Sequence, residues 1–382
     1  MLAMDYRGPY RVRVEDKPMP KIEHPRDAVV RVTRSCICGS DLHLYHGMVP
    51  DTRIGQTFGH EFTGIVEEVG AEVENLAVGD HILVPFNIAC GQCHFCKQGL
   101  FGNCHESNPG ATAVGGIFGY SHTAGGFDGG QAQYARVPYA DFGPTKIPDW
   151  MDPDDAVLLT DVVPTGYQAA EMGGIQKGDT VVVFGGGPVG IMAARSAWLF
   201  GAGRVIVIDH IDYRLEFVKG FAPAEVYNFK ELDDVVLFMK KTTDGLGADV
   251  CIDAVGAEAT GNMLQTIFGK RLKLEAGSAI ALHWAINSVK KGGVVSIVGV
   301  YGPTGNMVPI GNVVNKGLSL RANQAAVKRH LPRLIEHLKA GHIDPKAMIT
   351  HRVPLEDIGD AYHLFSAKLD NCIKPVLMPN GA

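Results

Sequence analysis

The chain has 382 residues, 46% hydrophobic and 20% charged, with a formal net charge of −6. That is the balance of a globular protein too long for one ordinary core, so two domains are expected, and with no dense basic run it excludes a nucleic-acid binder. Arg195 interrupts the longest apolar stretch below membrane-spanning length, and the opening residues MLAMDYRGPYRVRV lack the apolar core of a signal peptide, so a cytoplasmic protein with no membrane partner is expected.

Residues 11–35 alternate apolar and charged positions (RVRVED, then AVVRVTR), the period of strands with one wet face. Further short strands are expected over 64–69 and 81–86, separated by turn signals such as Val78-Gly79-Asp80. The first 150 residues therefore read as a β-rich barrel or sandwich. Residues from about 164 to 325 alternate β and α, with 249–255 and 293–300 as candidate parallel strands. The segment 257–288 is long for a strand-to-strand link and is expected to hold extra helix. Residues 325–340, AAVKRHLPRLIEHLKA, have the period of an amphipathic helix with a proline inside. The end, 350–378, returns to strands and one short helix.

Within the alternating region, residues 181–209 read VVVFGGGPVGIMAARSAWLFGAGRVIVID. An apolar strand leads into Gly185, Gly187 and Gly190 of G-x-G-x-x-G, with Pro188 and Val189 inside the motif. A helical stretch follows, and a second strand ends in Asp209. That context is the dinucleotide-binding fingerprint. Gly185 permits a tight turn, Gly187 lets backbone approach a pyrophosphate, and Gly190 lets helix pack on strand. The helix N-terminus offers N–H groups to the anion. Asp209 can accept from a ribose 2′-hydroxyl and repels a 2′-phosphate, which favours NAD over NADP. Arg214 lies five residues on, where it pairs with a phosphate or sits solvated.

Eight cysteines in a reducing compartment point to metal or reactive thiols rather than disulfides. Four of them, Cys90, Cys93, Cys96 and Cys104, follow C-x2-C-x2-C-x7-C. Four thiolates close a tetrahedral zinc site with no open position, so this zinc is expected to be structural. An iron–sulfur cluster uses similar spacing, but its usual Cys-Pro ending is missing. His94 and His105 interleave these cysteines without being needed. A second set is dispersed: Cys38 in CICGSDLH, His60 and Glu61 in FGHEFTG, and Asp161 in LLTDVVPTGY. One thiolate, one imidazole and one carboxylate leave a fourth position for water or substrate, as a catalytic zinc requires. Cys36, Cys251 and Cys372 read as core, and His283 and Trp284 as packing.

The blocks GHEFTGIVEEVG, CGQCHFC and GGGPVG, in this order, resemble the zinc-containing medium-chain dehydrogenase/reductase family over nearly the whole chain. The resemblance implies an α/β protein in which a Rossmann-like doubly wound parallel sheet is inserted between the two parts of a GroES-like β-rich catalytic domain. The catalytic domain then takes 1–163 and 326–382, and the NAD-binding domain 164–325. It also implies two zinc ions per chain, NAD, a small alcohol or aldehyde as substrate, and a homodimer or homotetramer by analogy with relatives. Carried over by position, Cys38, His60 and Asp161 match the catalytic zinc ligands. Glu61 matches an acid that approaches the metal during ligand exchange. Ser40 matches the hydroxyl that takes the substrate proton, and His43 the histidine that passes it to solvent. Phe86 falls at a substrate-pocket aromatic, and Lys374 at a basic residue on the cofactor pyrophosphate. Asp161 stands where many members have cysteine or glutamate. The block TDVVPTGYQAA is similar to the glutathione-independent formaldehyde dehydrogenase and formaldehyde dismutase branch, although 257–288 is shorter than the insertion that helps that branch enclose NAD. The expected reaction is hydride transfer between a primary alcohol, or hydrated formaldehyde, and NAD. A polyol, threonine or secondary-alcohol dehydrogenase would use the same machinery. A non-catalytic nucleotide-binding protein stapled by structural zinc is the alternative from another class.

Overall fold

The strand Ala28–Cys36 buries Ala28, Val30 and Val32 while Arg31 and Thr33 stay half-exposed, the alternation its sequence carries. It pairs antiparallel with Phe62–Val69, Tyr134–Val137 and Lys374–Met378. In this computed structural model, which describes residues 1–256, 279–301 and 308–381, that strand is central to a seven-stranded sheet. Lys374–Met378 lies between Ile349–Pro354 and Ala28–Cys36, so the last strand completes the sheet that the first residues begin. The strand expected over 81–86 ends at Val84, because Phe86 turns away to bond the Thr160 carbonyl with its N–H (3.2 Å).

Two apolar clusters hold this part of the chain. One gathers Phe62, Val66, Ile82, Val84 and Phe118, and the other Met4, Tyr6, Ile37, Phe58, Tyr362 and Leu377. Each such side chain contributes roughly 1.5–3 kcal/mol on full burial. Internal contacts divide the described residues into two units, Met1–Pro164 with Gln324–Ala382, and Thr165–Asn323.

The second unit contains six parallel strands in the order Glu225–Asn228, Arg204–Asp209, Thr180–Phe184, Ala248–Asp253, Val289–Ile297, Ser319–Ala322. By chain order that is 3-2-1-4-5-6, the doubly wound arrangement. The central strands are continuous apolar runs buried along their length, as a parallel sheet covered on both faces demands. Val289–Ile297 starts earlier than the glycines suggest. Val289 pairs with Ala248 before a register shift, and Gly292 takes a positive φ of 73°. Of the segment 257–288, Ile280–Ser288 is a helix whose Trp284 packs on this core; residues 257–278 lie outside the described residues. The helix Val327–Lys339 contains Pro332, on its exposed side. No helix among the described residues is long and apolar enough to cross a membrane.

Candidate active site

Cys38 stands just before the short helix Gly39–Tyr45, and Asp41 in its first turn accepts the Cys38 backbone N–H at 2.9 Å. Ser40 and His43 fall three residues apart on that helix, hence on one face. His60 and Glu61 precede the strand Phe62–Val69, and Asp161 precedes the helix Val162–Gly173. These separate segments converge: ligand atoms of Cys38, His60, Glu61 and Asp161, all buried, lie within 4.8 Å of one another. His60 Nε2 is 3.2 Å from Asp161 Oδ2 and 3.9 Å from Glu61 Oε1. Its other nitrogen, Nδ1, lies 3.3 Å from Asp41 Oδ1. Phe86 sets its ring edge-on to the His60 imidazole, centroids 6.1 Å apart.

The charges here are unbalanced. Asp41, Glu61 and Asp161 bring three carboxylates, and Lys374 contributes the ammonium. Lys374 Nζ is 2.7 Å from Glu61 Oε1, with both side chains fully buried. Burial disfavours the ammonium, but Glu61 and the Cys38 and Cys36 sulfurs outweigh it and raise the lysine pKa. Burial likewise disfavours a charged His60, yet Asp41 and Asp161 hold its pKa well above the ordinary value. Glu61 Oε2, Asp41 Oδ1 and His60 Nδ1 are buried without a hydrogen-bond partner. A buried, electron-rich donor set of this kind fits a dication with three protein ligands and an open position.

The cysteine loop makes a separate site. Cys90 and Cys96 sulfurs are 3.9 Å apart, and those of Cys93 and Cys104 4.0 Å. Four sulfurs about 2.3 Å from one zinc stand about 3.8 Å apart, so the observed edges fit a closed tetrahedral shell. Backbone N–H groups of Gln92 and Cys93 point at Cys90 Sγ (3.4 and 3.3 Å), and that of Cys90 at Cys104 Sγ (3.3 Å), each favouring thiolate.

In the second unit, Gly185 has φ +102°, and a Cβ at Gly190 would lie 1.8 Å from the Gly185 carbonyl oxygen. Gly187 caps the helix Pro188–Leu199, with Pro188 and Val189 in its first turn. Asp209 Oδ2 accepts the Gly186 N–H at 2.5 Å, and Oδ1 accepts those of His210 and Ile211 at 2.5 and 3.1 Å. Burial would raise its pKa, but His210, the Arg214 charge and these N–H groups lower it to about 2. Arg214 Nη1 reaches the other side of the loop, 3.6 Å from where a Gly187 Cβ would stand.

Sequence reasoning did not find Asp41, although it lies three residues after Cys38. Its spacing signals a helix cap and says nothing of the approach to His60. Nor did it anticipate the ion pair that Lys374 makes with Glu61, both side chains fully buried.

Residues 24–149 match the family model of the alcohol dehydrogenase GroES-like domain, and 188–271 that of the zinc-binding dehydrogenase. An uncharacterized zinc-type alcohol dehydrogenase-like protein of Bacillus subtilis is 43% identical over 99% of this chain and 100% of its own. A glutathione-independent formaldehyde dehydrogenase of Pseudomonas aeruginosa is 37% identical over 78% of this chain and 74% of its own. The solved alcohol dehydrogenase of Thermus sp. ATN1 superposes with a TM-score of 0.85 at 33% identity, covering 99% of both chains.

Proposed function

Because the chain belongs to the zinc-containing alcohol dehydrogenase family of medium-chain dehydrogenases/reductases, we propose that it oxidises a primary alcohol, or hydrated formaldehyde, by hydride transfer to NAD. The observation that carries this reading is the convergence of Cys38, His60 and Asp161, with Glu61 behind them and Phe86 beside them. Residues 1–163 and 326–382 serve catalysis, and 164–325 hold the nucleotide, in a cytoplasmic homodimer or homotetramer.

Cys38, His60 and Asp161 hold the catalytic zinc, and Cys90, Cys93, Cys96 and Cys104 the structural one. The catalytic ion, when bound, supplies a Lewis acid that lowers the pKa of a hydroxyl group toward neutrality. Ser40 Oγ accepts the substrate hydroxyl proton, and His43 passes it to solvent. Glu61, paired with Lys374, stays close enough to stand in for a departing ligand. Phe86 offers apolar surface that suits a small substrate and sheds water.

Asp209 accepts from the ribose hydroxyls, while the Pro188–Leu199 helix terminus and Arg214 receive the pyrophosphate. An Asp209 carboxylate that stays ionised supports NAD against the 2′-phosphate of NADP. Asp161 and the likeness to the formaldehyde dehydrogenase favour a one-carbon or short primary substrate. Secondary alcohols and polyols are the second reading, since the same ligand set and nucleotide site would serve them and the names of the zinc-type alcohol dehydrogenase-like relatives do not distinguish the alcohol class.

Replacing Cys38 by Ser is expected to remove one of two zinc equivalents and abolish turnover while NADH still binds. Full activity in zinc-depleted Cys38→Ser protein would sink the mechanism. Ser40→Ala is expected to lower kcat by roughly 100-fold or more; an unchanged rate with an unchanged pH profile rejects the relay.

A further inference from the structure

We propose that Gln131 and Tyr362 are positioning residues that fix the orientation and tautomer of His60 through Asp41. The inference rests on the reading of Cys38, His60 and Asp161 as a ligand set, and extends it to two residues far from that set in sequence.

Three fully buried side chains, Tyr362, Gln131 and Asp41, form one directional hydrogen-bonded chain, and the His60 ring stands at ion-pair distance from its end. The Tyr362 hydroxyl donates to Gln131 Oε1 at 2.8 Å. That bond orients the amide, so Gln131 Nε2 donates to the Cys36 carbonyl (2.9 Å) and to Asp41 Oδ2 (3.3 Å). Asp41 Oδ2 also accepts the Cys38 N–H. With Oδ2 so engaged, Oδ1 is the oxygen that faces His60 Nδ1, 3.3 Å away. A carboxylate only accepts, so Asp41 favours a proton on Nδ1, and with a cation held by Cys38, His60 and Asp161 the Nε2 lone pair would be its ligand. Reversing the Gln131 amide would set its oxygen against the Cys36 carbonyl and Asp41 Oδ2, and an unprotonated Nδ1 would set a lone pair against Asp41 Oδ1.

The surroundings make room for this chain. Gln131, Asp41 and Tyr362 are all 0% exposed, where apolar side chains would be cheaper to bury. Gly59, next to His60, has φ +98°, and a Cβ there would stand 2.5 Å from Gln131 Cγ. Any side chain at 59 therefore displaces Gln131. The Tyr362 ring packs on Tyr45, centroids 5.0 Å apart. Packing holds the ring, which leaves the hydroxyl its separate polar task.

The test compares full-length, zinc-replete wild-type protein with Tyr362→Phe, which removes only the hydroxyl, and Gln131→Glu, which keeps the shape but turns the donor facing Asp41 into an acceptor. Isotope-labelled histidine gives the ring-nitrogen signals of His60, assigned by their loss in His60→Gln. Graded chelator competition gives zinc affinity at this site, with the four-thiolate zinc as internal reference. We expect a protected Nδ1–H on His60 in wild type. In both variants that proton should exchange faster, and zinc at this site should bind roughly tenfold more weakly, with the four-thiolate zinc retained. Unchanged His60 signals and affinity in either folded variant would overturn the proposal. If wild type takes up only the four-thiolate zinc, the ligand-set reading fails. The His60 signals then still decide the network: a shift in the variants supports it, and their persistence overturns it.

Discussion

At Asp209, burial and hydrogen bonding oppose each other, and hydrogen bonding wins. A carboxylate whose pKa falls from the ordinary value to about 2 stabilises the folded state at neutral pH. That contribution, about 2 kcal/mol, is fully present above pH 4 and is lost as pH falls through 2. Asp209→Asn should therefore unfold more easily at pH 7 and show a shallower loss of stability between pH 4 and 2, as followed by circular dichroism. The same variant should lose discrimination against NADP, read as the ratio of kcat/KM for the two cofactors. An unchanged ratio would remove Asp209 from cofactor selection. Cys38, His60 and Asp161 were legible in the sequence because few residue types hold zinc and each stood in a distinctive block. Asp41, Gln131 and the Glu61–Lys374 pair were not, since each acts through a contact between segments that spacing does not encode.

The glycine loop and the cysteine loop are each held by a single local constraint: space in the first, an ion in the second. Gly190 has ordinary backbone angles; what it needs is space, since a Cβ would collide with the Gly185 carbonyl oxygen. Gly190→Ala should cost about 1–3 kcal/mol of stability and sharply weaken NADH binding, measured by thermal unfolding and fluorescence titration. Near-wild-type values for both would show that the turn relaxes at little cost. The cysteine loop has little apolar core of its own: Ala89 and the cysteines, with Phe101, Tyr139 and Phe142 against them. Its order should therefore depend on the ion, as in small metal-stapled domains. Chelation is expected to expose residues 90–104 to protease, whereas resistance in metal-free protein would contradict a structural zinc. The strands of the second unit were readable because buried parallel strands are unbroken apolar runs. Their ends were not: Val289–Ile297 starts before its glycines, where pairing of Val289 with Ala248 outweighs local propensity.

In the molecule as a whole, both ends of the chain meet in one sheet, with Lys374–Met378 beside Ala28–Cys36. That closure places Lys374 on Glu61 and brings Tyr362, from the helix before it, onto Gln131. The C-terminal 59 residues, 324–382, thus belong to the same compact unit as Met1–Pro164. The alternation of elements announced two layers of architecture; the long-range pairing that builds the site could be reached only through the family resemblance. As proposed, the protein is a two-zinc, NAD-linked dehydrogenase. The most direct test is zinc content together with steady-state NADH formation on one purified sample, across formaldehyde, short primary alcohols, secondary alcohols and polyols. Two zinc equivalents per chain with NAD-dependent turnover of formaldehyde or a primary alcohol is the predicted result. One zinc and no turnover on any substrate would contradict it and leave a nucleotide-binding protein stapled by a single structural ion.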